Sequence, residues 1–453
     1  MIEITAEKVN YLQCRITATN KSAIYEMYDE FAFYAHNYRY NPKFKYGKWD
    51  GKIRLFSPKT RMFYNGLLPD LDVFCRRRGY SLKIIDSIDR SNDFTIPDEF
   101  FNKINQYSKL EPKGYQLKYV KKILNHKRLL VISPTGSGKS LIAYLTIRAL
   151  LDYTNWNILF IVPKTNLAQQ AFTDFQDYVN DEFSVEDNTH IIHSGASSDT
   201  DKRITISTWQ SIFRKSQDWF NQYDALIVDE AHTATAKSIT DIVSKMSHSP
   251  LLIGMTGTID SDQHQDIDLK AKFGEIVQYV TSSDLQETGD LSGMKINAVV
   301  LKYSQEDCNI ASSFDYSKEV DFVISHPERN KLIVNLSMMC KNNTLVLFNF
   351  IDKHGKKLYE DMMSVCNRFR KNVYYISGEI SADEREVIRS KMENPPMWTE
   401  LKLSDDSFLS MPSDRNVKLS NGKFKNIAQI EKGDEISNQW LENDEVKSFI
   451  VKK

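Results

Sequence analysis

The sequence predicts an α/β protein. A parallel-sheet domain is followed by a second, incomplete α/β unit, with a small α+β domain ahead of them and a short β-rich tail behind. Three observations carry this. From residue 108 to about 295, wholly apolar runs alternate with helix-length stretches, as in a parallel sheet covered on both faces. Ser133-Pro134-Thr135-Gly136-Ser137-Gly138-Lys139-Ser140 lies between the apolar Leu129–Ile132 and the helix-like Leu141–Leu145. Asp229-Glu230-Ala231-His232 directly follows the apolar Ala225–Val228.

The chain has 453 residues, which suggests about three domains. The expected divisions are 1–107, 108–295, 296–394 and 395–453. A net charge of -1 excludes no partner globally. Cys14, Cys75, Cys308, Cys340 and Cys366 have neither metal-ligand nor disulfide spacing, as expected in a reducing compartment. Met1-Ile2-Glu3-Ile4 opens no signal peptide, and no apolar run approaches the ~20 residues that span a bilayer. A soluble cytoplasmic protein is expected, with no membrane partner.

In the first domain, Ile2–Ile16 reads as a strand pair and Ala23–Tyr34 as a helix. Between Asn37 and Tyr80 there are 11 Lys/Arg against three Asp, an excess of eight positive charges. Aromatic residues are interleaved, either to stack on bases or to fill the core. Turn signals at Gly47, Asp50-Gly51, Ser57-Pro58 and Asn65-Gly66 suggest short antiparallel strands. This stretch is the candidate nucleic-acid surface, with Lys43, Lys45, Lys48, Trp49, Lys52 and Arg54 as its contacts. Ser87–Asp98 reads as a polar linker.

In the second domain the expected strands are Leu129–Ile132, Ile158–Val162, Ile204–Ser207, Ala225–Val228 and Leu251–Met255. A strand, a glycine-containing loop and a helix start make an anion cradle, because loop N–H groups and the helix dipole both favour phosphate. Thr135, Gly136, Ser137 and Gly138 would line it. Lys139 would reach the β- and γ-phosphates of ATP and Ser140 would hold Mg²⁺. Asp229 would hold the metal through water and Glu230 would orient and deprotonate the attacking water. One departure is visible: Ser133 occupies the first, normally glycine, position of the loop.

Gln116 lies upstream, where its amide could pair with the adenine edge. Lys164 and Thr208 stand where strand ends feed helix starts, either as nucleic-acid backbone contacts or as plain helix caps. Thr256 and Thr258 follow the fifth strand and place hydroxyls beside the acidic site, with His232 positioned to join the two.

The order of Gln116, the loop, Pro163-Lys164-Thr165-Asn166, Asp229–His232 and Thr256-Gly257-Thr258 resembles the superfamily 2 helicases over residues 110 to about 392. Within that superfamily the likeness to a phage branch includes Tyr46-Gly47-Lys48-Trp49-Asp50-Gly51-Lys52 and Ile376-Ser377-Gly378. The resemblance implies two RecA-like domains with ATP between them, unwinding of branched DNA in recombination and fork repair, and an N-terminal domain that grips duplex nucleic acid, with RNA still open. It also implies that Lys139, Ser140, Asp229, Glu230 and His232 serve ATP hydrolysis, and that Thr256 and Thr258 couple hydrolysis to movement.

The second RecA-like unit is expected to be cut short. Its strands would be Ala298–Leu301, Thr344–Phe348 and Val373–Ile376. Yet the sequence contains no Gly-Arg pair, which the superfamily's late arginine motif requires. From Ser410 the tail resembles the opening of intein (Hint) domains, with a strand pair turning at Asn421-Gly422 and a Gly433-Asp434 turn. An unrelated small β domain is the alternative. The expected function is thus an ATP-dependent DNA helicase. The rivals are an ATP- and DNA-binding fragment with little turnover, and a precursor for protein splicing.

Overall fold

The computed structural model describes residues 2–35, 37–88, 94–192, 200–235, 237–258, 263–369 and 371–393, and in the tail 398–403, 408–412, 416–419, 424–426, 429–431, 435–437 and 448–452. The chain forms two compact units, residues 1–295 and 296–453.

The core of the first unit is a RecA-like sheet of seven parallel strands. Their spatial order is Glu275–Gln278, Arg128–Ile132, Leu251–Thr256, Ala225–Val228, Ile158–Val162, Ile204–Thr208 and Thr189–Ile192. All five strands expected from the sequence are present within a residue or two. They are read easily because a strand covered on both faces must be apolar throughout: Ile158–Val162 and Ala225–Val228 are buried at every position. The helix Lys139–Tyr153 is buried along most of its length and lies against one face. The sheet order matters for the site. The strand ending at Thr256 lies between the one feeding the glycine loop and the one ending before Asp229.

Residues 2–88 form a small domain with a mixed four-stranded sheet. Glu3–Lys8 pairs antiparallel with Gln13–Ala18 and parallel with Ser81–Asp86. The helix Lys21–Glu30 starts at Asn20, whose side chain accepts from the Ser22 N–H at 2.9 Å. The stretch 37–80 holds the short antiparallel strands expected, Lys52–Arg54 and Met62–Tyr64, but is also more helical than the sequence suggests. It holds a short helix, Pro42–Lys45, and a longer one, Leu68–Arg78, that buries Leu68, Leu71, Phe74 and Cys75. Pro69 suits a first helical turn and Gly79, at φ 70, ends the helix in the left-handed region. Turn residues dominate the stretch locally, and three arginines follow at once on the apolar spacing of 68, 71, 74 and 75.

This domain interlocks with the RecA-like sheet. Leu12 is buried in the RecA-like core, while Ala271 is buried in the small domain's core. Arg128 donates to the carbonyls of Tyr11 and Lys272, and Lys270 pairs with Asp70 at 2.7 Å. Gly66 lies against the carbonyls of Lys270 and Ala271, so a Cβ there would collide with backbone. The expected polar linker is corrected in its second half. Phe94 packs edge-on to Trp156, and Ile96, Phe100 and Ile104 are buried in the RecA-like core. Residues 94–107, which the sequence assigned to the first domain, therefore pack with the second.

The second unit contains the helices Gln305–Ala311, Tyr316–Ser325, Pro327–Met339, Lys356–Val365 and Ala382–Glu393. The three strands expected here form no backbone ladder among the described residues. Residues 298–301 are exposed. The other two segments meet through side chains. Phe348 stacks on Tyr375 at 5.6 Å, and Val346 and Val373 join the cluster of Val334, Met338, Leu358 and Met362. Their apolar patterning reflects this cluster. In the tail, Asn416–Lys418 pairs antiparallel with Phe424–Asn426, as expected for a hairpin, and Ser410 pairs opposite Glu400 in a second sheet. Asn421, Gly422, Gly433 and Asp434 lie outside the described residues.

Candidate active site

All parts of the site lie at the C-terminal ends of the central strands, where open α/β sheets hold ligands. Gly136 and Gly138 both adopt φ 80, which gives the loop its tight path into the helix beginning at Lys139. The Ser133 hydroxyl lies 2.6 Å from that of Ser137, and both are buried. The serine at the loop's first position thus ties the two ends of the loop together. Lys139 Nζ donates to the Ser133 carbonyl at 3.3 Å and lies 3.9 Å from a Glu230 carboxylate oxygen.

The strand Ala225–Val228 ends in Asp229, whose N–H donates to Ile161 O at 2.8 Å. Glu230 then turns the chain at φ 49, a left-handed conformation that costs a non-glycine residue about 1–3 kcal/mol. The Thr233 N–H and hydroxyl both donate to the Glu230 carbonyl, at 2.9 and 2.8 Å, and hold this turn. Burial raises Asp229 above the usual carboxylate range, and the Glu230 charge adds to the rise. One Asp229 oxygen is buried without a hydrogen-bond partner. An orphaned, desolvated carboxylate fits a hard cation or its water, so these residues suit Mg²⁺.

His232 Nδ1 lies 3.3 Å from the Glu230 carboxylate and 2.9 Å from Thr256 Oγ1. The Thr256 hydroxyl donates to the Thr258 carbonyl at 2.8 Å. Thr258 therefore takes part through its backbone; its side chain is exposed. Gly257 completes the approach. A Cβ there would lie 3.1 Å from Thr135 Oγ1 and 3.3 Å from Lys139 Nζ, so a larger residue would have to push these side chains aside.

Two nucleotide-site residues are engaged otherwise than the sequence suggests. Gln116 is buried: its Nε2 donates to Ser137 O at 2.9 Å and its Oε1 accepts from Lys113 N at 2.8 Å. Its amide braces the loop in this conformation with one of its two N–H donors and one of its acceptor lone pairs. Burial raises Asp174 and Tyr178 on the neighbouring helix, and the Ser140 hydroxyl offsets part of that rise. The orphaned buried oxygen that suits a metal belongs to Asp229.

The nucleic-acid candidates fall into two groups. Lys43, Lys45 and Lys48 are exposed. Lys52 is half-buried with its ammonium 5.4 Å above the Tyr34 ring. Trp49 and Arg54 serve the scaffold. Trp49 Nε1 donates to Lys52 O at 2.9 Å; Arg54 pairs with Asp50, holding it down to about 2, and lies 4.4 Å over the Tyr28 ring. Lys164 is exposed at the end of its strand, while Thr208, on the adjacent strand, is buried with its hydroxyl 3.0 Å from Ser211.

Residues 3–86 match the family model described as DNA helicase UvsW, N-terminal, and residues 109–261 match that of the type III restriction enzyme res subunit. The ATP-dependent DNA helicase UvsW of Enterobacteria phage T4 is 33% identical over 386 residues, 83% of this chain and 75% of that protein. The chain belongs to the UvsW helicase family. A DNA 3'-5' translocase XPB2 of Sulfurisphaera tokodaii is 29% identical over 154 residues, covering 34% of this chain and 32% of that one. A crystal structure of bacteriophage T4 UvsW covers 61% of this chain and 99% of that chain, at 31% identity and TM-score 0.54. A second T4 UvsW structure covers 86% and 78%, at 30% identity and TM-score 0.54.

In this UvsW-family chain, sequence reasoning missed four residues that shape the loop. Tyr115 donates its hydroxyl to Ser137 O at 2.9 Å. Leu291 packs over Gly136, where a Cβ would clash at 2.6 Å, and the Lys113–Asp290 ion pair fixes its segment. Tyr115 had a signal in its adjacency to Gln116. Leu291 had none, because only the folded chain brings residue 291 over residue 136.

Proposed function

We propose that this chain is an ATP-dependent DNA helicase or translocase acting on branched or duplex DNA in recombination and replication-fork repair. The observation that carries this is one chain of contacts. It runs from Lys139 in the phosphate loop through Glu230 and His232 to Thr256 and the Thr258 carbonyl. A motor needs such a link, because hydrolysis must be felt elsewhere in the protein. The family relationship to T4 UvsW, named as an ATP-dependent DNA helicase, supports the same reading.

In this reading the loop N–H groups and Lys139 hold the triphosphate. Asp229 holds Mg²⁺, which would neutralise phosphate charge when bound. Glu230 orients and deprotonates water. Its left-handed turn aims the carboxylate between Lys139 and His232. The 453 residues contain no Gly-Arg pair, and a transition-state arginine is worth on the order of 10³–10⁵ in rate in related sites. The chain by itself is therefore a weak ATPase.

ATPase assays with and without a DNA fork, a duplex and an RNA duplex, run beside T4 UvsW, test this. Turnover should rise with the DNA fork yet stay well below that of T4 UvsW. An ATP-binding chain with no DNA response at all would leave only the binding-module reading standing.

A second reading concerns the tail. The antiparallel pairing of Asn416–Lys418 with Phe424–Asn426 favours an intein-like start with the Ser410 hydroxyl as nucleophile. Hydroxylamine should then release a fragment ending at Leu409. A chain that stays intact sinks the splicing reading.

A further inference from the structure

The lobe formed by residues 34–54 of the N-terminal domain is built unlike the rest of that domain. Its base is rigid. Ala32–Tyr34 pairs antiparallel with Lys52–Arg54, and the Ala35 N–H donates to Gly51 O at 2.8 Å. Tyr38 packs over Gly51, where a Cβ would collide with the ring, and Tyr38 also stacks on Tyr34 at 4.5 Å. The tip is different. Arg39-Tyr40-Asn41-Pro42-Lys43-Phe44-Lys45-Tyr46-Gly47-Lys48 carries four cations and no anion, and none of these residues is buried. Tyr40 is 76% exposed and Tyr46 is 78% exposed, on either side of Lys43 and Lys45.

Cations alone suffice to grip a duplex backbone. Two tyrosines held this far into water are not needed for that grip and are not used by the domain's own core, to which Phe56, Phe63 and Phe74 belong. Flat rings beside cations are the arrangement that holds unpaired bases, since every base offers a face for stacking. We propose that this lobe binds unpaired DNA through Tyr40 and Tyr46, with Arg39, Lys43, Lys45 and Lys48 on the adjoining phosphates. This rests on the DNA-helicase reading above and narrows its substrate to DNA with a single-stranded arm.

The test uses the full chain with two probes, a 20-nucleotide single strand and a blunt 20-base-pair duplex. The double substitution Tyr40→Ala with Tyr46→Ala should weaken single-strand binding about tenfold or more, because each stacked base is worth about a five- to hundredfold change. Duplex affinity should move less than about twofold. The phenylalanine pair, Tyr40→Phe with Tyr46→Phe, should bind the single strand as the parent does. Tyr25→Ala, at an exposed tyrosine outside the lobe, controls for nonspecific loss. Equal loss on both probes, no loss on either, or failure of the phenylalanine pair to rescue overturns the proposal. Those outcomes leave the DNA-helicase reading intact, because that reading fails only if DNA does not stimulate hydrolysis.

Discussion

His232 Nδ1 must carry the proton it shares with Thr256. The Thr256 hydroxyl spends its own hydrogen on the Thr258 carbonyl, so its oxygen can only accept from the imidazole, 2.9 Å away. The same Nδ1–H faces Glu230 at 3.3 Å. One proton is thus shared between the candidate base and the turn beyond the next strand. His232→Ala should leave ATP affinity within about twofold and reduce DNA-stimulated hydrolysis on the order of tenfold, a usual size for coupling between sites. His232→Asn, which keeps a donor near Nδ1, should recover part of the loss. Equal hydrolysis in all three proteins sinks the relay.

Lys139→Ala should abolish ATP binding and leave the fold unchanged. Among the described residues the Lys139 ammonium makes polar contacts with the Ser133 carbonyl and with Glu230 at the loop rim, away from the core. Titration with a fluorescent ATP analogue, beside circular dichroism, checks both halves. Unchanged affinity would remove the nucleotide assignment.

Asp229→Asn should stabilise the protein while impairing Mg²⁺-dependent nucleotide binding. The folded state raises the Asp229 pKa above its ordinary 3.8. The native state then holds this proton more tightly than the unfolded chain does, so the group costs stability as pH rises through the window above 3.8. Melting at neutral pH should occur at a higher temperature in the variant, and the gap should close on acidification below the usual carboxylate range. A variant that melts lower at neutral pH contradicts the desolvation argument.

Replacing Lys43, Lys45, Lys48 and Lys52 by Ala should weaken duplex binding similarly across sequences. Each phosphate contact contributes about 0.9 to the slope of log K against log salt, so the slope should flatten. Lys52 should matter least, as its ammonium already lies over Tyr34. If affinity and slope both stay put, the patch is only a solvated surface.

Gly66→Ala should cost about 1–3 kcal/mol in chemical denaturation, since the added methyl meets the Lys270 and Ala271 carbonyls and backbone there cannot yield cheaply. A neutral substitution would mean that the two domains are not locked at this point.

The sequence by itself determined the central sheet, the phosphate loop and the acidic strand end. Each is a local pattern: Leu129–Ile132 and Ala225–Val228 are apolar at every position because both faces are covered, and the loop's glycines supply dihedrals that other residues resist. Only the tertiary structure decided what these residues touch. The strand order that sets Thr256 between Lys139 and Glu230 depends on pairing between segments far apart in the chain. So do the braces on Ser137 from Tyr115 and Gln116, the seat of Leu291 over Gly136, and the locking of Gly66 against Lys270. The separation of Trp49 and Arg54, fixed in the scaffold, from Lys43, Lys45 and Lys48, open to solvent, was equally illegible. Composition reports how much charge a stretch carries. Which charges are already paired is a matter of distance, and distance exists only in the folded chain.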